Sequence, residues 1–234
     1  MSTQPTASPV PRPHFKVPIR ALEVEHRAAI AEHLLQLGPR DRYLRFGYAA
    51  TDDHIRRYVS TLDFERDEVF GIFNRQLRLI AMAHLAYLAP QAAQTSQAAE
   101  SQASANLPEG IAEFGVSVNH HARGRGYGMQ LFRRAVVHAR NHGVQQLYIH
   151  ALTENMAMLA IARKGGATVV QDGSESQAHL RLPPADFESQ MSEMLDEQVA
   201  RTDYHFKAQT RYLWYLLRRA LGLPDRRDKD TRPA

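Results

Sequence analysis

The feature that most constrains the fold is a strand that runs into a glycine-rich loop and then into a helix. The strand candidate is IAEFGVSV, with Phe114, Val116 and Val118 on one face and alternate residues on the other. The loop is NHHARGRGYG, and the apolar residues after it recur at helical spacing. Such a junction offers free backbone N–H groups and the positive end of a helix dipole to a phosphate. The pattern predicts either an anion-binding loop or an ordinary tight turn.

The spacing of the glycines disfavours two common nucleotide-binding motifs. Gly124 and Gly126 are followed by Met129 where a dinucleotide fingerprint has its third glycine, and the sequence contains no G-x-x-x-x-G-K-S/T. The Rossmann and Walker interpretations are therefore weak. The loop reads RGRGYG instead.

Hydrophobic periodicity places strands and helices on both sides of this loop. We expect a mixed α/β (α+β) fold. The predicted elements are a short strand in VPIRAL, a helix stopped by Gly38-Pro39, a helix over 52–62, a hairpin of EVFGIF and LRLIAMAHLAYL, a strand in QQLYIHA, a helix over 155–164, and strands in TVVQ and QAHLRL.

Composition divides the chain into one domain and its appendages. The proline-rich residues 1–15 predict a disordered tail, and 16–183 form the domain. Within it, the Ala, Gln and Ser-rich stretch 89–108 predicts a flexible surface insertion, with a helix as the alternative. Residues 184–222 predict a helical extension, and 223–234 a disordered tail.

Charge and composition exclude several classes of protein. The formal net charge is +4, which suits anionic ligands without requiring nucleic acid, and we expect no nucleic-acid partner. With 0 cysteines, disulfides, a thiol nucleophile and Cys-built zinc sites are excluded. No apolar run approaches the roughly 20 residues of a membrane-spanning helix, and the first residues lack a signal core. We expect a cytoplasmic protein without a transmembrane segment.

Two segments resemble the GNAT superfamily of N-acetyltransferases. The run AEFGVSVNHHARGRGYGMQLF resembles its acyl-coenzyme A signature, and TENMAMLAIARKGGA is similar to its later helix. The predicted element order over 17–182 also resembles that fold. The resemblance implies a mixed, splayed central sheet with flanking helices, here followed by the C-terminal helical extension. Within the superfamily, LGPRDRYLRF (37–46) is similar to part of some bacterial protein-lysine acetyltransferase domains.

The resemblance also implies a co-substrate and the residues that bind it. Acetyl-coenzyme A would lie with its pyrophosphate on the glycine loop and its pantetheine arm along the strand, and no metal is implied. The implied binding residues are Val116, Val118, Arg123, Gly124, Arg125, Gly126, Tyr127, Gly128 and Asn155.

Acetyl transfer to an amine requires a base, and Glu113 is the candidate. It lies on the strand face opposite Phe114, where many members of the family have a catalytic glutamate; an exposed strand glutamate is the alternative. The tyrosine that many relatives use as general acid is replaced by Ala162. Water, Tyr127 or Tyr148 would then protonate the thiolate, a tolerable leaving group with a thiol pKa of about 8.5. The predicted acceptor is an unidentified primary amine, on a protein lysine or a small molecule.

Other polar groups allow more than one interpretation. Arg40, Arg42, Tyr43 and Arg45 border an acceptor cleft that favours an acidic acceptor, or they form a charged loop. The pairs Glu23 with His26 and Glu32 with His33 have metal-ligand types but favour a solvated helix face.

The aromatic, basic stretch 204–219 favours packing on the domain or a homodimer through the C-terminal helices. The alternative function is a non-catalytic acyl-coenzyme A binding module that acts through this helix.

Overall fold

The computed structural model describes most of the predicted domain and the start of the extension. The described residues are 17–88, 110–186, 190–191, 193–200 and 202–203. The predictions for both tails, for the insertion 89–108 and for the aromatic stretch 204–219 lie outside these residues.

The centre of the fold is a seven-stranded mixed sheet in the order β1-β2-β3-β4-β5-β7-β6. Strands β1 to β4 form an antiparallel meander, and β5 to β7 form a second antiparallel unit. The strand bounds are β1 Arg20–Leu22, β2 Glu68–Phe73, β3 Leu79–Leu88, β4 Ile111–Val118, β5 Gln146–Leu152, β6 Thr168–Asp172 and β7 Glu175–Arg181.

Helices flank the sheet, and all of them except α2 lie where the sequence predicts helices. Short 3-10 turns at Val24–His26 and His120–Ala122 precede α1 and α4. The helices are α1 Arg27–Leu35, α2 Pro39–Phe46, α3 Asp52–Ser60, α4 Tyr127–Asn141, α5 Met156–Lys164 and α6 at 193–200, with further helical residues at 190–191 and 202–203.

The sheet opens between its two central strands. Strand β4 pairs with β3 from Ile111 to Val118, but its parallel pairing with β5 runs only from Ile111 to Glu113. Beyond Glu113 the two strands diverge, so no strand in the described part of the chain pairs with the second half of the β4 edge that faces β5. This confirms the expected mixed, splayed sheet.

Side chains on the two faces of the sheet belong to two buried clusters. Phe114, on one face of β4, meets the ring of Phe132 from α4 edge to face, with 5.2 Å between ring centroids. On the other face, Met82 of β3 packs with Ile30 of α1 and Ile55 of α3. The period-two pattern of β4 is therefore realised as the sequence predicts.

Helix α2 excludes one of the two alternatives for Arg40, Arg42, Tyr43 and Arg45, the charged loop, because these residues are helical. Gly38 is the extended N-cap and Pro39 takes the first helical position, where its missing N–H costs no hydrogen bond. The Gly-Pro pair therefore separates two helices. Arg42 points back to donate hydrogen bonds to the carbonyls of Leu35 and Leu37, so this side chain is structural.

Two histidines correct the expectation of a solvated helix face. His26 is buried, and its Nδ1 accepts from the backbone N–H of Glu23. His33 is 1% exposed and its ring contacts the carbonyl of Leu79. Both rings serve packing and local hydrogen bonding.

The described part of the C-terminal extension docks on α4 through charged groups. Arg134, buried and stacked over Phe70, contacts the carboxylates of Glu193 and Glu197 at 2.7 and 3.1 Å. His138 also contacts Glu193, at 2.6 Å. Glu193 and Glu197 therefore attach α6 to the domain. Among the described helices, none combines the length and apolar character needed to cross a bilayer.

Candidate active site

The glycine loop places a helix N-terminus beside the open part of the sheet. Gly124 and Gly126 have φ values of +74° and +77°, in the left-handed region that favours glycine. Gly126 is the N-cap of α4 and provides no side-chain cap, so the first turn of this 15-residue helix keeps unpaired N–H donors. Nothing lies within 4 Å of a Cβ built on either glycine, which leaves the loop open to a ligand.

A cavity of about 430 Å³, the glycine-loop cleft, runs from this helix end along β4. Gly128 lies against α5, and a Cβ at position 128 would come within 2.8 Å of the side chain of Ile161. The cleft is lined by Leu37, Asp41, Leu44, Arg45, Val116, Ser117, Val118, Ala122, Arg123, Gly124, Gly126, Tyr127, Gly128, Met129, Asn155, Ala157, Met158, Ala160, Ile161 and Lys164.

Of the nine residues predicted to bind the co-substrate, eight line the glycine-loop cleft. The exception is Arg125, which is exposed and lies outside the cavity lining. Arg123 lies at the cleft with its guanidinium 2.7 Å from Asp41, and its Nε donates to the carbonyl of Val118. Its charge is therefore already neutralised.

A second cavity of about 300 Å³, the carboxylate pocket, is lined by residues of β4, β5 and β7 at the place where β4 and β5 diverge. It contains the carboxylates of Glu113 and Glu175 together with His150. The residues that line both cavities are Leu44, Arg45, Val116, Asn155 and Met158. The two cavities therefore meet across the second half of β4.

Glu113 lies in the carboxylate pocket where β4 and β5 separate. It is opposite Ala86 of β3 and is the last residue of β4 that pairs with β5, opposite Tyr148. The side chain is half-buried, and no hydrogen bond or ion pair to it exists among the described residues. Its carboxylate is free to accept a proton from a group in the pocket.

Asn155 joins the two helices that border both cavities. Its side-chain oxygen accepts from the backbone N–H of Met158 as the N-cap of α5, at 3.2 Å. Its amide Nδ2 donates to the carbonyl of Leu44 in α2, at 3.1 Å. The side chain predicted to contact the pantetheine arm thus also fixes the spacing of α2 and α5.

Ser117 is held on the floor of the glycine-loop cleft by a buried histidine. Its Oγ lies 2.8 Å from Nε2 of His33, and Nδ1 of the same ring lies 3.1 Å from the carbonyl of Leu79. Burial lowers the pKa of His33 to about 4, so the ring is neutral near pH 7. A neutral ring donates from Nδ1 to the carbonyl and accepts the serine proton at Nε2.

The candidate general acids differ in their positions. Tyr127 lines the glycine-loop cleft, whereas Tyr148 donates its hydroxyl proton to Gln146 and belongs to neither cavity lining. Ala162 is fully buried in the core and brings no hydroxyl to the cleft. Tyr127 is thus the candidate whose side chain reaches the cavity.

The sequence prediction missed Lys164 and the helical conformation of α2, although it gave Arg45 as a residue that borders the acceptor cleft. Lys164 lines the cleft at the C-terminal end of α5, one helical turn after Ala160 and Ile161. The helical period counted from Ala157, which leads through Ala160 and Ile161 to Lys164, would have indicated it. Leu44 and Arg45 line both cavities because the chain after Gly38 forms a helix. The sequence prediction did not include this helix.

One group of metal-ligand residues lies outside these cavities. His138, His142 and Glu193 bring ligand atoms within 4.8 Å of one another, and they are the group of this kind found in the described residues. Arg134 and Asn141 already satisfy the carboxylate of Glu193, at 2.7 and 2.5 Å. The arrangement is explained by helix docking.

Comparisons with known proteins agree with this geometry. The family model described as acetyltransferase (GNAT) domain matches residues 16–168. No curated protein resembles the chain closely enough in sequence to count as a relative.

Solved structures share the fold at low sequence identity. The GNAT domain of S. lividans PAT is 19% identical, with a TM-score of 0.56 over 70% of this chain and 89% of that one. An N-acetyltransferase from Staphylococcus aureus Mu50 is 17% identical, with a TM-score of 0.52 over 70% and 98% of the two chains. Spermidine N-acetyltransferase from Vibrio cholerae, solved with CoA and spermine, is 16% identical, with a TM-score of 0.52 over 71% and 95%. Together with the family match, the splayed sheet and its glycine loop show that this chain belongs to the GNAT family of acetyltransferases and is an acyltransferase.

Proposed function

We propose that the protein transfers an acetyl group from acetyl-CoA to a primary amine. The observation that carries the proposal is the meeting of two cavities at Val116. One cavity ends on the glycine loop and the other holds the free carboxylate of Glu113. Such an arrangement gives the acyl donor and the amine separate entrances to one reaction point.

The glycine-loop cleft fits a pyrophosphate with an extended arm. The N–H groups at the start of α4 and the helix dipole suit an anion, and the two left-handed glycines let it approach the backbone. Lys164 adds a positive charge to the lining. The unpaired second half of β4, with Val116 and Val118, offers main-chain groups to the amides of a pantetheine arm.

The carboxylate pocket supplies the base for the transfer. An ammonium group beside Glu113 loses a proton to the carboxylate, directly or through one water, and the neutral nitrogen attacks the thioester carbon. The C–N bond forms, the C–S bond breaks, coenzyme A leaves as a thiolate, and the nitrogen loses its second proton to water to become a neutral amide. The thiolate takes a proton from water or from Tyr127, which lines the same cleft. The products are the N-acetylated acceptor and free coenzyme A.

Calorimetric titration with acetyl-CoA tests the coenzyme site, with Gly126→Asp and Gly126→Asn as a matched pair. Asp and Asn both tolerate a positive φ and have nearly the same shape, so the pair isolates the added negative charge. We expect the Asn variant to bind, and the Asp variant to bind at least about tenfold more weakly. Equal affinities, or no binding by the native protein, would refute the proposed site.

Glu113→Gln tests the base separately from binding. The amide preserves the size of the side chain but does not accept the proton, so we expect turnover to fall by about 10²- to 10⁴-fold. Acetyl-CoA affinity should be unchanged, because Glu113 lies outside the glycine-loop cleft. A variant with native turnover on the screened amines would remove Glu113 from the mechanism.

A further inference from the structure

Arg45 occupies the boundary between the glycine-loop cleft and the carboxylate pocket. Its half-buried side chain lines both cavities. The guanidinium lies over Gly115 of β4, where a Cβ would come within 2.9 Å of Cζ and Nη2. The absence of a side chain at position 115 therefore creates the space for the Arg45 head group, next to the point where acyl donor and amine meet.

The guanidinium of Arg45 contacts uncharged groups. Its Nη2 donates to the hydroxyl of Tyr58 at 3.1 Å. Its Cζ lies 5.3 Å from the ring centroid of Phe46 and 5.6 Å from that of Tyr58. Among the residues that the structure describes, no carboxylate lies within ion-pair distance of Arg45. A half-buried cation with aromatic neighbours and no acidic partner is suited to an anionic ligand.

A partly buried chain of hydrogen bonds fixes the position of Tyr58. Because arginine only donates, the Tyr58 oxygen accepts from Arg45, and its own proton goes to Nδ1 of His84 at 2.9 Å. His84 then carries its proton on Nε2, which donates to Oδ2 of Asp67 at 3.1 Å. The direction of every bond follows from the chemistry of Arg45 at one end and Asp67 at the other.

The charges along this chain are consistent with those directions. Burial, with the nearby charge of Arg45, lowers the pKa of His84 and keeps the ring neutral at pH 7. Although burial opposes ionisation of Asp67, hydrogen bonds from Arg66 and His84 lower its pKa, and it stays a carboxylate. The positive head group at the cavity boundary is thus oriented by an uncharged Tyr58–His84 link to a buried anion.

We propose that Arg45 determines acceptor specificity by binding a carboxylate that the acceptor carries close to its primary amine. The proposal rests on the proposed function, since the amine must reach Glu113 in the same pocket. At about 300 Å³ that pocket is small, which favours a compact acceptor of the amino-acid class. Tyr58, His84 and Asp67 are positioning residues that act through Arg45.

Carboxylate binding is tested without turnover by titrating glutarate and its neutral analogue glutaramide into protein saturated with coenzyme A. The readout is the Nε resonance of Arg45 in ¹⁵N-arginine-labelled protein, assigned by its loss in Arg45→Lys. We expect a saturable shift with glutarate and none with glutaramide. No shift with glutarate, or equal shifts with both compounds, would overturn the proposal.

Turnover then separates specificity from catalysis, with amino acids and their amides as matched acceptors and thiol release as the readout. We expect Arg45→Gln to lower kcat/KM for the carboxylate acceptors by about 10- to 100-fold more than for the matched amides, with the difference arising in KM. Arg45→Lys should lie between the two proteins. A fall in kcat that is equal for acids and amides would show that Arg45 polarises the thioester, and would overturn the specificity role.

Tyr58→Phe tests the positioning chain. It removes the hydroxyl that joins Arg45 to His84 but keeps the ring, so KM for carboxylate acceptors should rise by a few-fold at constant kcat. A variant with native KM and native thermal stability would exclude a positioning role. The two proposals can fail separately. If the native protein releases no thiol with any amine but its Arg45 Nε resonance still shifts with glutarate, the proposed acetyl transfer is refuted and the carboxylate-binding role of Arg45 is retained.

Discussion

The carboxylate of Glu193 is the charged group on which docking of α6 most depends. Its side chain is 14% exposed and accepts from Arg134, His138 and Asn141 at 2.7, 2.6 and 2.5 Å. Glu193→Gln keeps the size of the side chain and removes its negative charge. We expect the variant to weaken attachment of 193–200 to α4.

The size of this effect follows from the pKa of Glu193. Burial alone would raise it, but the hydrogen bonds of His138 and Asn141 and the charge of Arg134 lower it from 4.5 to about 2. At about 1.4 kcal/mol per pH unit, that difference corresponds to a stabilisation of about 3 kcal/mol. Because the pKa is lower in the folded protein, this stabilisation is complete above about pH 5 and is lost as the pH falls towards 2.

Hydrogen exchange at the amides of 193–200 measures the free energy of undocking. We expect Glu193→Gln to reduce protection by up to about 3 kcal/mol at pH 7, and the difference from the native protein to shrink as the pH is lowered from 5. Glu197→Gln is the matched control, because Glu197 is more exposed than Glu193, at 21% against 14%, and its contact with Arg134 is longer, at 3.1 against 2.7 Å. Its expected loss is below about 1 kcal/mol. Equal effects of the two variants, or a pH-independent difference for Glu193→Gln, would refute the reasoning.

Three further substitutions test the packing around the site. Gly165→Ala should lower stability by about 1 to 3 kcal/mol, measured by calorimetry, because its Cβ would overlap the Phe132 ring; a raised melting temperature would contradict this. Burial lowers the pKa of His33 to about 4, so the free energy of unfolding should fall by up to about 3 kcal/mol as the pH drops from 6.5 to 4. In urea titrations, His33→Gln should reduce this dependence of the unfolding free energy on pH. Arg42→Met should cost about 2 to 3 kcal/mol in urea, because three backbone carbonyls lose a charged donor; a neutral result would exclude this capping role.

The centre of the site could be predicted from the sequence because its signals are local. The alternation in β4, the two glycines that precede α4 and the capping Asn155 each specify their own conformation within a few residues. Glu113 was identifiable because strand periodicity fixes its face. These elements needed no knowledge of distant contacts.

The contacts of Arg45 and α6 could not be predicted in this way, because they involve residues far away in the chain, although Arg45 itself was expected at the acceptor cleft. Arg45 contacts Tyr58 and covers Gly115. The need for a glycine at position 115 becomes apparent only when α2 is seen to pack on β4. The sequence likewise gives no indication of the partners of the acidic residues of α6, because only the fold brings Glu193 close to Arg134. The charge pattern of the sequence therefore identifies charged segments but does not predict which residues they contact.

The divergence of β4 from β5 beyond Glu113 has an evolutionary consequence. A ligand that docks on unpaired main-chain groups is recognised by atoms that every residue possesses, so most side chains along that edge are free to change. Only positions whose backbone conformation excludes other residues, such as Gly124 and Gly126, are then restricted in identity. A fold that recognises its ligand through the backbone can diversify its acceptor pocket extensively, and the structures compared with this one keep the same architecture at 16 to 19% identity.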